Sequence, residues 1–455
     1  MNFSDSVFKA YDIRGLVATE LSPELAYRVG RAFVQVLRSE NMVFEGKKLV
    51  VGYDMRPTSP EFKEQVIQGF LDEGVDVVDI GMCSTPLFNF ACAHFSEHAG
   101  GIMVTASHNP APYNGFKLTR SNGLPIGKGS GMETIRDLVQ SADFPQPAGA
   151  GERSERDIKP EYFEKLFSLV DVKKLRPLTV VFDYGNGMGS VTFRELVKKL
   201  PITVHSLYEE PDGNFPNHEA NPLKVETLSA LQKKVKAVGA DFGFALDGDA
   251  DRIGLVDETG AVVPASFVGT LLGLEVLRLH PGLHMMYNLN LSQIAREIWE
   301  KNGATTQMCM NGHALIKNMM KQVNAGFACE LSLHVFYGDL YNLESGDLSL
   351  LYFLQLLSRE QKSLSQLIAP LNKYFHSGEM NFEVHAKDEI MQKIEFAYKD
   401  QAIEVSSIDG VWMRFDWGWF SVRKSNTEPV LRLNLEARSL QELEEKKKEL
   451  VAFIQ

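Results

Sequence analysis

Four stretches of this sequence bring together side chains that can do chemistry. The first is Thr105-Ala106-Ser107-His108-Asn109-Pro110, after the apolar run Gly101-Ile102-Met103-Val104. A buried strand is expected to end here and deliver a serine into a loop rich in Gly, Pro and Asn. Pro110 keeps Asn109 out of the helical region, so the loop stays open, with Lys117 downstream to meet a negative charge. A capped turn carrying a solvated serine is the plain structural alternative. The second stretch, Asp247-Gly248-Asp249-Ala250-Asp251-Arg252, follows the apolar run 242–246. Carboxylates at alternate positions repel unless a cation holds them, and hard oxygen ligands select Mg²⁺, Mn²⁺ or Ca²⁺. An EF-hand does not fit, because Arg252 stands where that loop needs glycine and the flanks read as strands. Mg²⁺ normally also takes a phosphate or water, and a phosphorylated Ser107 would supply that ligand. A solvated acidic turn is the alternative.

The third stretch pairs Asn311-Gly312-His313, opening a helix, with Glu330-Leu331-Ser332-Leu333-His334 after a short strand. In an extended segment Glu330 and Ser332 face one way and can read two sugar hydroxyls, while His334 can carry a proton. Equally, Glu330 and His334 can pair structurally. The fourth, Arg423-Lys424-Ser425-Asn426-Thr427-Glu428-Pro429, lies between two strands and offers a donor cluster for a phosphate, or an ordinary hairpin loop. Near the N-terminus, Tyr11 and Arg14 close a short strand-to-loop segment, and Arg is the side chain best shaped to grip phosphate; a surface arginine is the alternative.

The elements that must position these residues alternate. Helices are expected over 23–39, 60–73, 132–140 and 160–170, and strands over 49–54, 75–80, 179–183, 242–246 and 284–288. That is an α/β pattern with a mostly parallel sheet. Gly185, Gly187 and Gly189 have GxGxG rather than GxGxxG spacing, so they read as a tight strand-to-helix turn. Three similar strand–turn–helix–strand units are visible. After Ala369-Pro370 the pattern changes to antiparallel strands around 412–415, 419–422 and 430–435, with a final charged helix from Leu440.

At 455 residues the chain exceeds one core. A net charge of -12 argues against a nucleic-acid or acidic-membrane surface, though not against a local basic pocket. The cysteines Cys83, Cys92, Cys309 and Cys329 form no CxxC pair. With no signal-like N-terminus and no apolar stretch of membrane length, a cytoplasmic protein is expected.

Together these stretches, with Tyr11-Asp12-Ile13-Arg14-Gly15, Asn114 to Lys117 and Pro211-Asp212-Gly213-Asn214-Phe215-Pro216, resemble the α-D-phosphohexomutase family, most closely its bacterial phosphomannomutase/phosphoglucomutase branch. They occur in family order across essentially the whole chain. The resemblance implies an α/β protein of three similar α/β domains with mixed sheets plus a C-terminal α+β domain around a central cleft. The boundaries expected are 1–150 with the phosphoserine loop, 151–253 with the metal-binding loop, 254–368 with the sugar-binding loop and 369–455 with the phosphate-binding loop.

It also implies an enzyme that interconverts mannose and/or glucose 1- and 6-phosphates through phospho-Ser107. A hexose 1,6-bisphosphate serves as intermediate and activator. Mg²⁺ would be held by Ser107, Asp247, Asp249 and Asp251. Ser107, Lys117, Arg252, His108 and His334 form the implied catalytic set. Glu330 and Ser332 would hold sugar hydroxyls. Arg423, Ser425, Asn426 and Thr427 would hold the remote phosphate, and Tyr11, Arg14, Gly312 and His313 would complete the substrate site. The partners implied are small hexose phosphates, with neither nucleic acid nor membrane, for a monomer or homodimer.

The chain departs from the family pattern only in 254–368. The usual Gly-Glu-Met-Ser-Gly-His reads Cys329 to His334 with both glycines lost, a family lysine reads Asn290, another reads Met310, and an Asp-Asp-Gly reads Glu344-Ser345-Gly346. The phosphoryl-transfer residues are intact, so altered sugar preference or rate is expected. Leu333, bulky where glycine is usual, is expected to weaken binding of ordinary hexose phosphates. A non-catalytic sugar-phosphate-binding paralogue and a Ser107-dependent phosphatase are the other function classes.

Overall fold

The structure is a computed structural model that describes residues 3–146, 149–425 and 430–455. It divides into two compact units, Met1–Pro264 with Ser332–Ser365, and Ala265–Leu331 with Gln366–Gln455. Asn426 and Thr427, expected to bind phosphate, lie outside the described residues.

In the first unit the chain builds β1 (Ile13–Leu16), α1 (Pro23–Ser39), β2 (Lys48–Tyr53), α2 (Ser59–Asp72), β3 (Asp76–Met82), α3 (Thr85–His94), β4 (His98–Val104), β5 (Tyr113–Arg120), α4 (Met132–Ser141) and β6 (Arg153–Glu155). Ser22 caps α1 by accepting from the Leu25 N–H, and Pro23 occupies the first turn, where a missing N–H costs nothing. Helices α1 and α2 pack closely because Gly30 and Gly69 meet backbone: a Cβ on Gly30 would lie 2.7 Å from the Val66 carbonyl oxygen.

The sheet order is β1-β5-β4-β2-β3-β6. Strands β2, β3, β4 and β6 are parallel, but β5 runs antiparallel to both β4 and β1. The sheet is thus mostly parallel with an antiparallel β5, the mixed sheet that the family resemblance implies. The loop Thr105–Pro112 is too short for a parallel crossover, which needs a dozen or more residues. Lys117, downstream of the loop as expected, stands on β5, and Arg14 lies on β1 rather than in a loop, opposite Gly115.

A second sheet repeats this plan with β7 (Leu178–Asp183), α5 (Lys159–Leu169) preceding it, α6 (Gly189–Leu196), β8 (Ile202–Leu207), α7 (Ser229–Val238), β9 (Phe242–Leu246), β10 (Ile253–Asp257) and β11 (Val262–Val263), in the order β11-β10-β9-β7-β8. Strands β7, β8 and β9 are parallel, and β10 returns antiparallel after the short Asp247–Arg252 loop. Both chemical loops therefore follow a buried central strand, β4 or β9, and precede an antiparallel return. The flanking strands confirm that Asp247–Arg252 is not an EF-hand. Residues 185–188 form the expected tight turn between β7 and α6. The unit is completed by Val335–Tyr337 paired with Leu343–Glu344, and by the helix Gly346–Glu360. Ser345, in place of a family aspartate, caps that helix by accepting from Leu348 N–H at 3.1 Å.

The second unit holds three parallel strands, His284–Asn288 between Thr305–Cys309 and Phe327–Cys329, with helices Ala265–Leu279, Gln293–Lys301 and His313–Val323. Its C-terminal part is the expected antiparallel sheet, Glu404–Ser406, Val411–Arg414, Gly418–Lys424 and Val430–Ala437, with Phe375–His376 and Met380–Glu383 added to the last strand. Helices Lys387–Tyr398 and Leu440–Ile454 accompany it, and Phe420, Leu433, Leu443 and Leu450 are among its core residues. Asn290 is buried and accepts from the Ser421 hydroxyl at 2.7 Å, tying the parallel part to the antiparallel one. Among the described residues no helix is long and apolar enough to cross a membrane.

Candidate active site

Ser107 lies one turn beyond β4, buried, with φ +51°. Few non-glycine residues adopt this left-handed backbone. Its N–H donates to Thr105 Oγ1 at 2.9 Å, and the Thr105 N–H donates to the Gly115 carbonyl of β5 at 3.0 Å. The Ser107 hydroxyl donates to Asp247 Oδ2 at 3.0 Å and lies 3.2 Å from His108 Nδ1. The serine of one sheet thus meets the carboxylates of the other.

Asp247, Asp249 and Asp251 are all buried, and one oxygen of each lies within 4.8 Å of the others. The N–H groups of Asp251 and Arg252 both donate to Asp247 Oδ1 at 3.1 Å, which fixes the turn. Lys117, reaching from β5, donates to Asp249 at 2.5 Å and to Asp251 at 2.6 Å. Burial opposes the Lys117 charge, but Asp249 and Asp251 outweigh it and push its pKa up. Burial, with Asp251 and Asp249 beside it, drives the Asp247 carboxyl well above the usual range. Burial also opposes the Asp251 charge, yet Lys117 and His334 hold it well below that range. Asp249 Oδ1 is buried with no hydrogen-bond partner among the described residues. A cluster of hard oxygens with one such atom suits a divalent cation.

Arg252 Nε lies 3.2 Å from His334 Nε2, and the same nitrogen is 3.2 Å from Asp251 Oδ1. It serves one of them at a time, accepting from Arg252 when bare and donating to Asp251 when protonated. His334 Nδ1 contacts the Ser332 hydroxyl at 2.8 Å. Arg14 donates to Asn109 Oδ1 at 2.8 Å and to Asp12 at 2.5 Å, beside the serine loop. Burial, then Arg252 and Arg14, hold the His108 pKa well below its usual value. Tyr11 is half-buried on the bend before β1. The first unit therefore brings together Ser107, His108, Lys117, the three aspartates, Arg252, Ser332, His334 and Arg14.

The remaining expected residues belong to the second unit. Gly312 caps helix His313–Val323 at φ +113°, and its N–H donates to Glu330 Oε1 at 2.8 Å. Arg423 is nearly buried on the strand Gly418–Lys424, where it donates to Glu379 at 3.2 Å. It lies on a strand rather than in the loop, and Ser425 follows that strand. Glu330 and Ser332 do not share an extended segment. Leu331 and Ser332 form a turn directly after Glu330, so the strand alternation that would have faced the two side chains one way does not apply, and Leu333 next to them adopts φ +71°. Leu333 takes the left-handed backbone expected only of glycine and is buried, and its carbonyl accepts from the Ile253 N–H at 3.3 Å.

Sequence reasoning missed Arg56 and Thr85. The Thr85 hydroxyl donates to Asp249 Oδ2 at 2.5 Å and its N–H to the Asp249 carbonyl at 3.0 Å. Arg56 is 1% exposed beside Ser107, and an Asp54-x-Arg56 spacing right after β2 is the only sign of it in the sequence.

Four family profiles align along the chain in order. They are the phosphoglucomutase/phosphomannomutase alpha/beta/alpha domains I (5–146), II (160–260) and III (266–374), and the C-terminal domain (379–453). A phosphomannomutase of Vibrio cholerae is 38% identical over 95% of this chain and 94% of its own length. A phosphomannomutase/phosphoglucomutase of Pseudomonas aeruginosa is 35% identical over 96% and 93%. The crystal structure of a phosphoglucomutase/phosphomannomutase family protein from Burkholderia thailandensis superposes with a TM-score of 0.91 at 32% identity, covering 99% of this chain and 97% of that one. The serine and aspartate loops sit within the first two matched domains, and with all four domains matched in order the chain belongs to the phosphoglucomutase/phosphomannomutase family.

Proposed function

We propose that this phosphohexomutase moves a phosphoryl group between the 1- and 6-positions of mannose and/or glucose in the cytoplasm, with Ser107 as the phosphoryl carrier. The observation that carries the reading is the buried Ser107 hydroxyl, bonded to Asp247 across two sheets beside Lys117. In the first half-reaction the bond from phosphorus to Ser107 Oγ breaks and a bond to the free sugar hydroxyl forms. That hydroxyl loses its proton, and Ser107 regains one. The bisphosphorylated sugar then returns its other phosphate to Ser107, so no phosphate is consumed.

Asp247 and His108 flank the departing Oγ. Lys117 and Arg252 meet the negative charge on the transferring group, and such positioning and charge neutralisation carry most of phosphoryl transfer. Mg²⁺ fits the three aspartates with phospho-Ser107 as further ligand, and would neutralise charge on the reacting phosphoryl. His334, in reach of Arg252, Asp251 and Ser332, is placed to hand a proton to or from the sugar. Glu330, Gly312, His313, Ser332, Arg423, Ser425, Tyr11 and Arg14 are assigned to binding the sugar and its remote phosphate. The buried cysteines suit a reducing compartment.

The test incubates the protein with glucose 1-phosphate or mannose 1-phosphate, Mg²⁺ and a hexose 1,6-bisphosphate. The 6-phosphate is the expected product. Free phosphate would mean a phosphatase, and no turnover a binding protein.

A further inference from the structure

Arg56 uses every N–H of its guanidinium. Nε donates to Asp54 Oδ2 at 3.1 Å. Nη1 donates to the carbonyls of Pro110 and Tyr113 at 2.9 and 2.8 Å, and Nη2 to those of Ser107 and Asn109 at 3.0 and 2.6 Å. One planar fork therefore holds three carbonyls of the serine loop, including that of the residue with left-handed backbone, and that of Tyr113 at the start of β5.

The Pro211–Pro216 motif, to which neither the reaction nor the sugar site gives a role, closes on this fork. The Phe215 ring centroid lies 5.2 Å from the guanidinium carbon. A Cβ on Gly213 would stand 2.5 Å from Arg56 Cα, so only glycine lets the two backbones meet. Phe215 is itself at φ +48°, an uncommon conformation for a bulky residue. Its N–H donates to the Asp212 carbonyl at 3.0 Å, and the Asp212 N–H donates to the Asn186 carbonyl at 2.9 Å. Asn186 belongs to the Gly185–Gly189 turn, whose Met188 N–H donates to the Gly248 carbonyl of the aspartate loop at 2.8 Å. A Cβ on Gly248 would in turn lie 2.4 Å from the Ser107 carbonyl oxygen. The contacts thus form a closed ring: serine loop, Arg56, Phe215 loop, Asn186 turn, aspartate loop, and back to the serine loop. Strained residues such as Ser107 and Phe215 persist where their surroundings over-determine them, and they cluster at functional sites.

We infer that Arg56, clamped by Phe215, is a positioning residue for phosphoryl transfer: it fixes Ser107 Oγ against the Asp247 loop without touching the reacting atoms. This rests on the mutase reading. Lysine at position 56 keeps the charge but offers a rotating ammonium in place of the fork. Leucine at position 215 keeps apolar bulk but removes the ring face.

Two measurements on Arg56→Lys and Phe215→Leu test the role, with thermal melts confirming that each variant is folded. The first is kcat and KM on glucose 1-phosphate with Mg²⁺ and glucose 1,6-bisphosphate. A small misplacement far from the chemistry can cost about 100-fold, so Arg56→Lys is expected to lose about that much in kcat with KM little changed, and Phe215→Leu about tenfold. The second is backbone hydrogen exchange of residues 105–113, expected to accelerate in both variants while the other segments of the first sheet keep their protection. A folded variant that keeps its parent's kcat, loses only in KM, or leaves exchange of that loop unchanged overturns the inference. If Arg56→Lys does not fold, Phe215→Leu decides by the same criteria. A parent protein without turnover refutes the mutase reading, and the exchange measurement still decides the positioning role.

Discussion

Ser107 and Glu330 both follow a short buried strand and both enter a turn, yet they are held in different ways. The Ser107 loop leaves one strand and returns on the neighbouring one, and a single guanidinium binds three of its carbonyls and the first of the returning strand. All its partners lie in one compact unit. Glu330 ends a strand of the second unit, while Ser332 and His334, a few residues on, belong to the first. The departures from the family pattern all fall within 254–368, two of them at Cys329 and Leu333 beside Glu330, and leave the Ser107 and Asp247 loops intact. Phosphoryl transfer tolerates little displacement, and on the proposed assignment substitutions between Glu330 and Leu333 are expected to change sugar preference while the Ser107 and Asp247 loops stay as they are.

The largest effect that would break this contrast belongs to Ser107→Ala. We expect turnover to fall to background and the phosphate, located by intact mass and peptide mapping, to disappear from the protein. Full activity, or a phosphate sited elsewhere, would sink the mechanism. Next comes Asp249→Asn. Removing one pre-placed charge from such a site costs about 100- to 1000-fold in kcat, and EDTA should stop the unaltered enzyme while its far-UV spectrum stays the same. Rates indifferent to both would remove the cation from the account.

The second unit can be stressed without touching the phosphoryl site. Glu436 is buried, and its Oε1 accepts from Trp419 Nε1 and the Gln293 N–H, both at 3.0 Å. Burial is the main cause that pushes its pKa from 4.5 up to about 7, against the hydrogen bonds it accepts. The folded state therefore holds this proton more tightly than the unfolded one. The stability it contributes is complete below pH 4.5 and is lost as pH rises through 7. Glu436→Gln keeps the acceptor and removes the charge. Relative to its parent it should gain about 3 kcal/mol at pH 8 and almost nothing at pH 4.5, read from melts across that range. Parallel pH curves for the two proteins would show that burial of Glu436 is not what sets this dependence.

The smallest effect sharpens the contrast at the sugar loop. A left-handed leucine costs about 1–2 kcal/mol, and burying its side chain returns about 1.5–3 kcal/mol, so Leu333→Gly should change the melting temperature little. If the Leu333 side chain denies room to a sugar hydroxyl, kcat/KM on glucose or mannose 1-phosphate should rise about tenfold. Asn290→Lys, which restores the family residue, should add nothing and cost stability, because Asn290 is buried on the Ser421 hydroxyl. Loss of activity on both sugars in Leu333→Gly would mean that the loop is adapted to them as it stands.

Much of the fold could be read because buried strands leave apolar runs and helices leave caps: 23–39, 242–246 and 284–288 fall where the pattern puts them. The serine and aspartate loops were legible because the reactive atoms sit on side chains of unusual composition. Arg56 was not, since four of its five partners are backbone carbonyls, which any sequence supplies. The antiparallel return of β5 was hidden because its residues resemble those of a parallel strand, and only the brevity of the preceding loop betrays it. Leu333 stands where the family pattern has glycine and adopts the left-handed backbone that glycine takes easily, with its side chain buried and its carbonyl accepting from Ile253 N–H. Asn290 stands where the family pattern has lysine, and its partner Ser421 lies 131 residues along the chain, beyond any local pattern.

Sequence distance also shapes how the enzyme comes into being. Ser107 and Asp247 are 140 residues apart, Lys117 and Asp251 are 134 apart, and Arg252 and His334 are 82 apart. Contacts of such span form slowly, because loop closure must come before they reward it, and a chain made from its N-terminus completes its first domain well before the next. The nascent first sheet therefore carries its serine with no acidic partner beside it. The serine is therefore expected to gain its acidic partner only once the second sheet has been made, and His334 later still.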